Sequence, residues 1–318
     1  MLRSLKSLGS RADDAAEVGV CLHRAVAVAS AAPGARGTAD SRVYELPTES
    51  DEQARLLARA ISDLGVKGCK ASVVLPLGSY HLTQIERPAV EPAELIDAAR
   101  WRIKGQLDYP VEDAVIQVFE VPHSESQRTP LLHVVAAPNR AIRELTALVK
   151  RAGLVPSKVT IVELAVRDLA SRVAEPDEAV ATVFLTARQG VIQVTHRGEL
   201  YLTRRVEYGL SSALPSDPMA TGIHLTLPLE LRRTVDYFES HFGLGSIRRV
   251  LAAPTDGPFM KFMQDTSEFT RIPVVPLALP AKLHAAPGKA ADFGLPEAYL
   301  AASVALGRPA LAAAASPA

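Results

Sequence analysis

"ATVFLTARQGVIQVTHRGELYLTRR", residues 181–205, carries the first decision about the fold. It reads as two β-strands joined by a tight turn. Its first half, an apolar run, a short loop with one glycine and a second apolar run, has the shape of a hairpin that holds phosphate. The loop, however, offers Arg188 and Gln189 where a nucleotide site uses an aspartate and several glycines. Further on, "HRGE" (196–199) puts Gly198 where a positive φ is needed. The chain either binds a nucleotide or keeps a nucleotide-binding architecture for another purpose.

Composition narrows the field. The 318 residues suffice for two medium domains or one domain of two lobes. Hydrophobic residues make up 48% and charged residues 22%, the profile of a folded globular chain. Cations and acids cancel at 35 each. Basic clusters are short (Arg204–Arg205, Arg232–Arg233, Arg248–Arg249) and read as solvated faces, which disfavours a nucleic-acid partner. Cys21 and Cys69 lack a second cysteine at ligand spacing, so neither a metal nor a disulfide framework is expected, and both read as reduced core residues. No stretch reaches the ~18 consecutive apolar residues of a membrane span, and no long apolar run marks a signal peptide. The expectation is a soluble, cytoplasmic protein. The flexible leader, residues 1–16, opens with "MLRSLKSLGSR". In a helix its Leu2, Leu5 and Leu8 would share one side flanked by Arg3, Lys6 and Arg11, a weak membrane-surface anchor; the alternative is a frayed leader with no partner.

"EVGVCLHRAVAVAS" (17–30) reads as a hairpin, "AAPGARGTADS" as a loop and the stretch from Asp51 to Gly65 as a helix. "KASVVLPL" (70–77) is a strand. An insertion is expected over 78–125: an extended "YHLTQIERP", a helix with Ile96, Ala99, Ile103 and Leu107 on one stripe, and a strand "DAVIQVFEVP". "PLLHVVAAP" (130–138) then reads as a return to the core strands, followed by a helix capped by Gly153 and a strand running into a helix. The first-lobe core is thus 17–77 and 126–175, and the second lobe 176–307. In that lobe Leu227, Leu231, Val235, Phe238 and Phe242 make the clearest helical stripe, and "PEAYLAASVALG" the last helix. Residues 308–318 read as a disordered Ala/Pro tail. Each lobe begins with strand–turn–strand and goes on alternating strands and helices, so two related α/β lobes face each other across a cleft.

That order, with a small α/β subdomain inserted in the first lobe, resembles the actin-like (ribonuclease H-like) ATPase superfamily. Several stretches resemble its PilM/MshI branch of type IV pilus assembly proteins. They are "AARWRIKGQLDYPVEDAVIQVFEV", "AAPNRAIRELTALVKRAGLVPSKVTIVELAVRDL", "RGELYLTRRVEYG", "LELRRTVDYFES", "SIRRVLAAP" and "YLAASVALG". The resemblance implies a cytoplasmic protein, peripheral at the inner membrane. There it would grip the cytoplasmic tail of a PilN-like or MshJ-like single-span protein, alongside other pilus-base components.

The superfamily's nucleotide chemistry needs Asp-x-Gly turns for metal and phosphate and a glycine pair for adenosine. Aligned on that pattern, the first turn offers Cys21-Leu22-His23, the second Phe184-Leu185-Thr186, and the adenosine loop Pro254 and Thr255. Neither Cys21 nor Phe184 is a hard oxygen ligand for Mg²⁺, and proline removes a backbone donor. Arg188 keeps open a weak anion contact. The reading is therefore a fold kept and a catalyst lost, with no cofactor, no metal and no enzymatic activity. "DFG" (292–294) lacks the rest of a kinase signature, "GLGS" (243–246) ends a helix, and the eight histidines form no catalytic or metal pattern.

Trp101, beside Arg100 and Arg102, lies off the inserted helix's apolar stripe. It either widens the core face or anchors a partner in a groove beside the first-lobe core, with Arg100 and Tyr109 in the same patch. The leading function is a pilus scaffold or adaptor of MSHA type without ATPase activity. The alternatives are an active actin-like ATPase of pilus assembly or cell division and a cytoplasmic component of a type II secretion platform.

Overall fold

The structure, a computed structural model, describes residues 17–31, 39–122, 129–213, 220–255, 257–278, 280–285 and 295–309. The leader, the "DFG" triplet and residues 310–318 lie outside them. In chain order the strands are β1 (Glu17–Leu22), β2 (Ala25–Ala31), β3 (Ala39–Glu45), β4 (Lys70–Leu75), β5 (His81–Glu86), β6 (Ala114–Glu120) and β7 (Leu131–Pro138). The others are β8 (Val155–Ile161), β9 (Ala179–Leu185), β10 (Gly190–His196), β11 (Glu199–Val206), β12 (Val250–Ala253), β13 (Val274–Pro276) and β14 (Ala281–Ala285). The helices are α1 (Ser50–Asp63), α2 (Leu95–Ile103), α3 (Asn139–Arg151), α4 (Val162–Ala170), α5 (Ala220–Phe242), α6 (Gly257–Thr270) and α7 (Leu295–Leu306).

Two sheets repeat one topology. The first runs β14-β3-β2-β1-β4-β8 and the second β11-β10-β9-β12-β13. In each, the first three strands in sequence pair antiparallel and the next two add in parallel. The expected lobe repeat is therefore present as topology, and the quoted stretch 181–205 spans three strands rather than two. Alternation along each strand sorts side chains to two faces. Val18, Val20, Val26 and Val28 pack against Leu57 and Ile61 of α1 and Leu148 and Val149 of α3. Cys21, Ala25, Ala27 and Ala29 face the opposite way, into a cluster shared with α4, α7 and the inner face of the second sheet. The second sheet's outer face, through Val183, Leu185, Ile192 and Val194, meets the predicted α5 stripe and Phe259, Phe262 and Met263 of α6. The layers thus run helices, sheet, α4 with α7, sheet, helices.

The small residues of the first hairpin follow from this layering. A Cβ on Gly19 would lie 1.9 Å from the carbonyl oxygen of Ala301, so α7 lies directly on the β1 backbone. Only glycine and alanines leave room for that approach.

Several expectations need correction. Strand β3 fills part of the expected loop; of its buried positions Ala39, Ser41 and Val43, the two that fall inside that loop are too small to signal a strand. Strand β7 does not rejoin the core: it is the middle strand of a separate sheet, β5-β7-β6, so the insertion continues through β7. It is apolar on both faces because α2 covers one, through Ala99 and Ile103 over Val134 and Ala136, while Val135 turns toward the central cluster. Strand β14 pairs in parallel with β3, and α7 lies on the same sheet, so these two elements complete the first lobe rather than the second. Helix α5 begins before the expected start and carries Pro228 in its interior. Arg308 is fixed to the Gly198 carbonyl at 2.8 Å and to Glu199 at 2.6 Å, which places it outside any free tail.

Candidate functional site

The turns aligned above with the superfamily's nucleotide loops lie at the ends of β1, β9 and β12, and the first turns of α7 touch all three. At the β1–β2 turn, Arg24 donates its backbone N–H to Glu297 Oε1 at 3.2 Å, and His23 Nδ1 lies 3.4 Å from the same oxygen. Glu297 is 2% exposed. A phosphate approaching this turn would meet a carboxylate, and the amide it needs already has its acceptor. Cys21, fully buried just before the turn, has its thiol pushed well up, by burial first and by the Glu297 charge second.

The second hairpin is closed by its own groups. Thr186 donates both its backbone N–H and its hydroxyl to the Gln189 carbonyl, each at 2.8 Å. The chain at 209–211 covers the tip: Leu210 N–H donates to the Thr186 carbonyl at 2.9 Å and Ser211 N–H to the Ala187 carbonyl at 3.0 Å. A Cβ on Gly209 would come within 2.3 Å of the Thr186 carbonyl oxygen, so the fit is tight. Arg188 alone points into solvent from this loop. Phe184, inside β9, packs edge-on to Tyr299 with ring centroids 6.2 Å apart. Tyr299 is fully buried; its hydroxyl donates to the Leu277 carbonyl at 2.8 Å and lies 3.1 Å from the Thr255 hydroxyl. Pro254 is buried beside it. Of the positions read from the sequence, His23 thus meets Glu297, and Phe184 and Thr255 meet Tyr299, while Thr186 is tied within its own hairpin.

A second cluster joins the lobes. Glu163, in the first turn of α4, is 0% exposed. It accepts from the Tyr80 hydroxyl and, at 3.2 Å, from Arg205 Nε. Arg205 Nη1 also donates to the Tyr80 carbonyl at 2.9 Å, with the guanidinium 4.3 Å from the Tyr80 ring centroid. The Tyr80 hydroxyl in turn accepts the Val162 N–H at 3.1 Å. With its amide oriented to suit both neighbours, Gln193 donates to the Glu163 carbonyl at 3.2 Å and accepts from the Arg167 N–H at 2.9 Å. Burial, then the neighbouring Glu163, pushes the Tyr80 phenol well up. Burial works against the Arg205 charge, but Glu163 and Tyr80 together hold it protonated. Arg205 is thus no solvated-face residue, contrary to expectation. Arg249 departs in the same way, paired through two bonds to Glu178 at 2.7 and 2.6 Å.

The proposed partner residues differ in exposure and in what they touch. Trp101 is 70% exposed on the side of α2 that points away from its sheet, with Lys104 Nζ 5.0 Å from its ring centroid. It neither widens the core nor faces the first-lobe core. Arg100 is committed internally, donating to the Val111 carbonyl at 3.0 Å with Asp97 3.8 Å away. Tyr109 is half-buried against the α2 cluster. The sequence reading missed Tyr80, Glu163, Arg205, Glu297 and Tyr299. The available signal was charge within the otherwise apolar α4, whose residues face a sheet on both sides. Among the described residues, no group of three His, Cys, Asp or Glu side chains is placed to hold a metal.

No known family's sequence profile and no curated protein matches this chain. Among solved structures, a PilM–PilN type IV pilus biogenesis complex is similar with a TM-score of 0.72, over 93% of this chain and 99% of that one, at 15% identity. The fold is actin-like. Two other structures are similar at lower scores. The cytoplasmic domain of EpsL, an inner-membrane component of the type II secretion system of Vibrio cholerae, is similar at a TM-score of 0.49 and 12% identity, over 80% of this chain and 94% of that one. The ethanolamine utilization protein EutJ of Carboxydothermus hydrogenoformans is similar at 0.49 and 13%, over 92% and 89%. At these identities the likeness is one of architecture, and the actin-like cleft has to be read from its own residues.

Proposed function

We propose that this chain is a nucleotide-independent adaptor of type IV pilus biogenesis, of MSHA type. It sits on the cytoplasmic face of the inner membrane and binds the cytoplasmic tail of a PilN-like or MshJ-like single-span protein. The observation that carries the loss of nucleotide chemistry is the buried Glu297 carboxylate on the Arg24 amide, which opposes phosphate where phosphate would bind. The pilus setting draws its support from the likeness to a chain of the PilM–PilN complex over nearly the whole of both chains. Peripheral attachment fits a chain in which, among the described residues, no helix is long and apolar enough to cross a membrane. Trp101 is the proposed anchor, on the outer face of α2 rather than in a groove beside the first-lobe core. An exposed tryptophan that becomes buried in a partner contributes ~2 kcal/mol or more.

The test is capture from detergent-solubilised inner membranes with the full-length chain as bait. A single-span protein with a short cytoplasmic tail should be recovered equally with and without Mg·ATP. Recovery that requires nucleotide, or recovery of no membrane protein at all, would overturn the proposal.

A further inference from the structure

The buried cluster around Glu163 draws each of its members from a different body. Tyr80 lies on the link between β4 and β5, where the chain leaves the first-lobe sheet for the inserted subdomain. Glu163 opens α4, in the layer between the two main sheets. Arg205 belongs to β11, the edge strand of the second sheet. A carboxylate that is 0% exposed is tolerated only while its partners are in place. Its two partners compensate it in one arrangement of the three bodies, and hydrogen-bond geometry allows only a few tenths of an ångström of slack. Beside this cluster the tip of the β9–β10 hairpin reaches the first lobe, since a Cβ on Gly78 would lie 3.4 Å from Gln189 Oε1.

We infer that Tyr80, Glu163 and Arg205 form a latch that sets the angle between the lobes and the seat of the inserted subdomain, the bridging task that a bound nucleotide would otherwise perform. The inference rests on the nucleotide-free reading of the cleft and is independent of which partner the chain binds. A rotation of the second lobe would pull Arg205 from both Glu163 and the Tyr80 carbonyl at once, stranding a buried charge. The closed arrangement is therefore all-or-none. Arg205 acts as a positioning residue: through Tyr80 it fixes the root of β5, and with it the pose of α2 and Trp101.

The experiment uses the full chain with Cys69→Ser, spin-labelled at Arg102→Cys on the insertion and Asp265→Cys on the second lobe. Inter-label distances and native-state amide exchange at Val162 are both read. The otherwise unaltered protein should give one narrow distance distribution, unchanged by Mg·ATP. Arg205→Met should broaden or displace it, and exchange at Val162 should rise about tenfold or more as the Tyr80 hydroxyl loses its place. Should Arg205→Met fail to fold, Tyr80→Phe and Arg205→Lys keep the test in force. The first removes one hydroxyl, and the second keeps the charge without the two-pronged reach. A distribution and exchange rate unmoved by these variants would overturn the latch. A distribution that Mg·ATP shifts would instead overturn the nucleotide-free reading.

Discussion

Replacing Trp101 with alanine separates packing from recognition. Because 70% of the side chain's residue surface is exposed, only about a third of a tryptophan's ~250 Å² is removed from water within the chain. At ~25 cal/mol per Å² that is at most about 2 kcal/mol, of which alanine retains part. The Lys104 contact at 5.0 Å adds about 0.5 kcal/mol at an exposed site. Trp101→Ala should therefore cost roughly 1–2 kcal/mol of stability, a shift of a few degrees in Tm for a chain of this size. Ile103→Ala supplies the contrast half a turn along the same helix: its side chain is 1% exposed, and about 2–5 kcal/mol should be lost.

The assay pairs urea unfolding, followed by circular dichroism, with capture of the membrane partner. Trp101→Ala should weaken capture at least about tenfold, 1.4 kcal/mol, while its unfolding midpoint falls by no more than that small loss of stability implies. A destabilisation equal to that of Ile103→Ala would refute the exposure argument. Unchanged capture would refute Trp101 as the anchor. Arg100→Glu should act differently from a surface charge change, through lost stability, because Arg100 ties α2 to the Val111 carbonyl.

Three further outcomes are expected. His133, 2% exposed and 4.8 Å from the Phe119 ring, has its imidazole pushed down by burial to about 4. Its folded value lies below the unfolded ~6.5, so the unfolded chain takes up the proton first as pH falls from 6.5 to 4. The parent should lose up to about 3 kcal/mol more over that window than His133→Leu, and equal slopes in urea titrations would contradict this. Glu178 is held below the usual carboxylate range chiefly by its hydrogen bond from Arg249, which also donates to the Val173 carbonyl at 2.9 Å. Arg249→Ala should cost ~1–3 kcal/mol at neutral pH. Since Glu178 stabilises above its unfolded pKa, the difference from the parent should narrow as pH drops below about 4, and a constant difference would exclude the pair as its source. Finally, an alkylating reagent should modify the half-buried Cys69 in the native protein and reach Cys21 only in denaturant. Native labelling of Cys21 would show that its strand opens.

The fold was legible wherever local periodicity decided it. The α5 stripe from Leu227 to Phe242, the β1–β2 hairpin and the turn at Gly198, with φ of 69°, all occur as read. Misassignments arose where pairing is non-local. The apolar β7 announces a strand covered on both faces but not which sheet supplies its neighbours. Strand β14 adds to β3 across most of the chain, and nothing in "AKLHA" encodes that partner. Helix α7, apolar almost all round, signals a helix between two layers, and proximity in sequence alone placed it in the second lobe. At the site, the departures at Cys21, Phe184 and Pro254 were visible as residue types. What fills the space was not, because Glu297 and Tyr299 reach it from more than 250 residues along the chain from Cys21. Arg205 sits next to Arg204 in the sequence, yet strand alternation sends one toward Glu230 and the other toward Glu163.

Calorimetric titration of the full-length protein with Mg·ATP tests the central claim most directly. With Glu297 on the first turn, the second hairpin closed on itself and Tyr299 against Thr255, no saturable binding tighter than roughly 100 μM, about −5.5 kcal/mol, should be detected. Adding Mg·ATP should also leave the Tm unchanged. Saturable, Mg²⁺-dependent binding in the low micromolar range, or a measurable release of phosphate, would contradict the account.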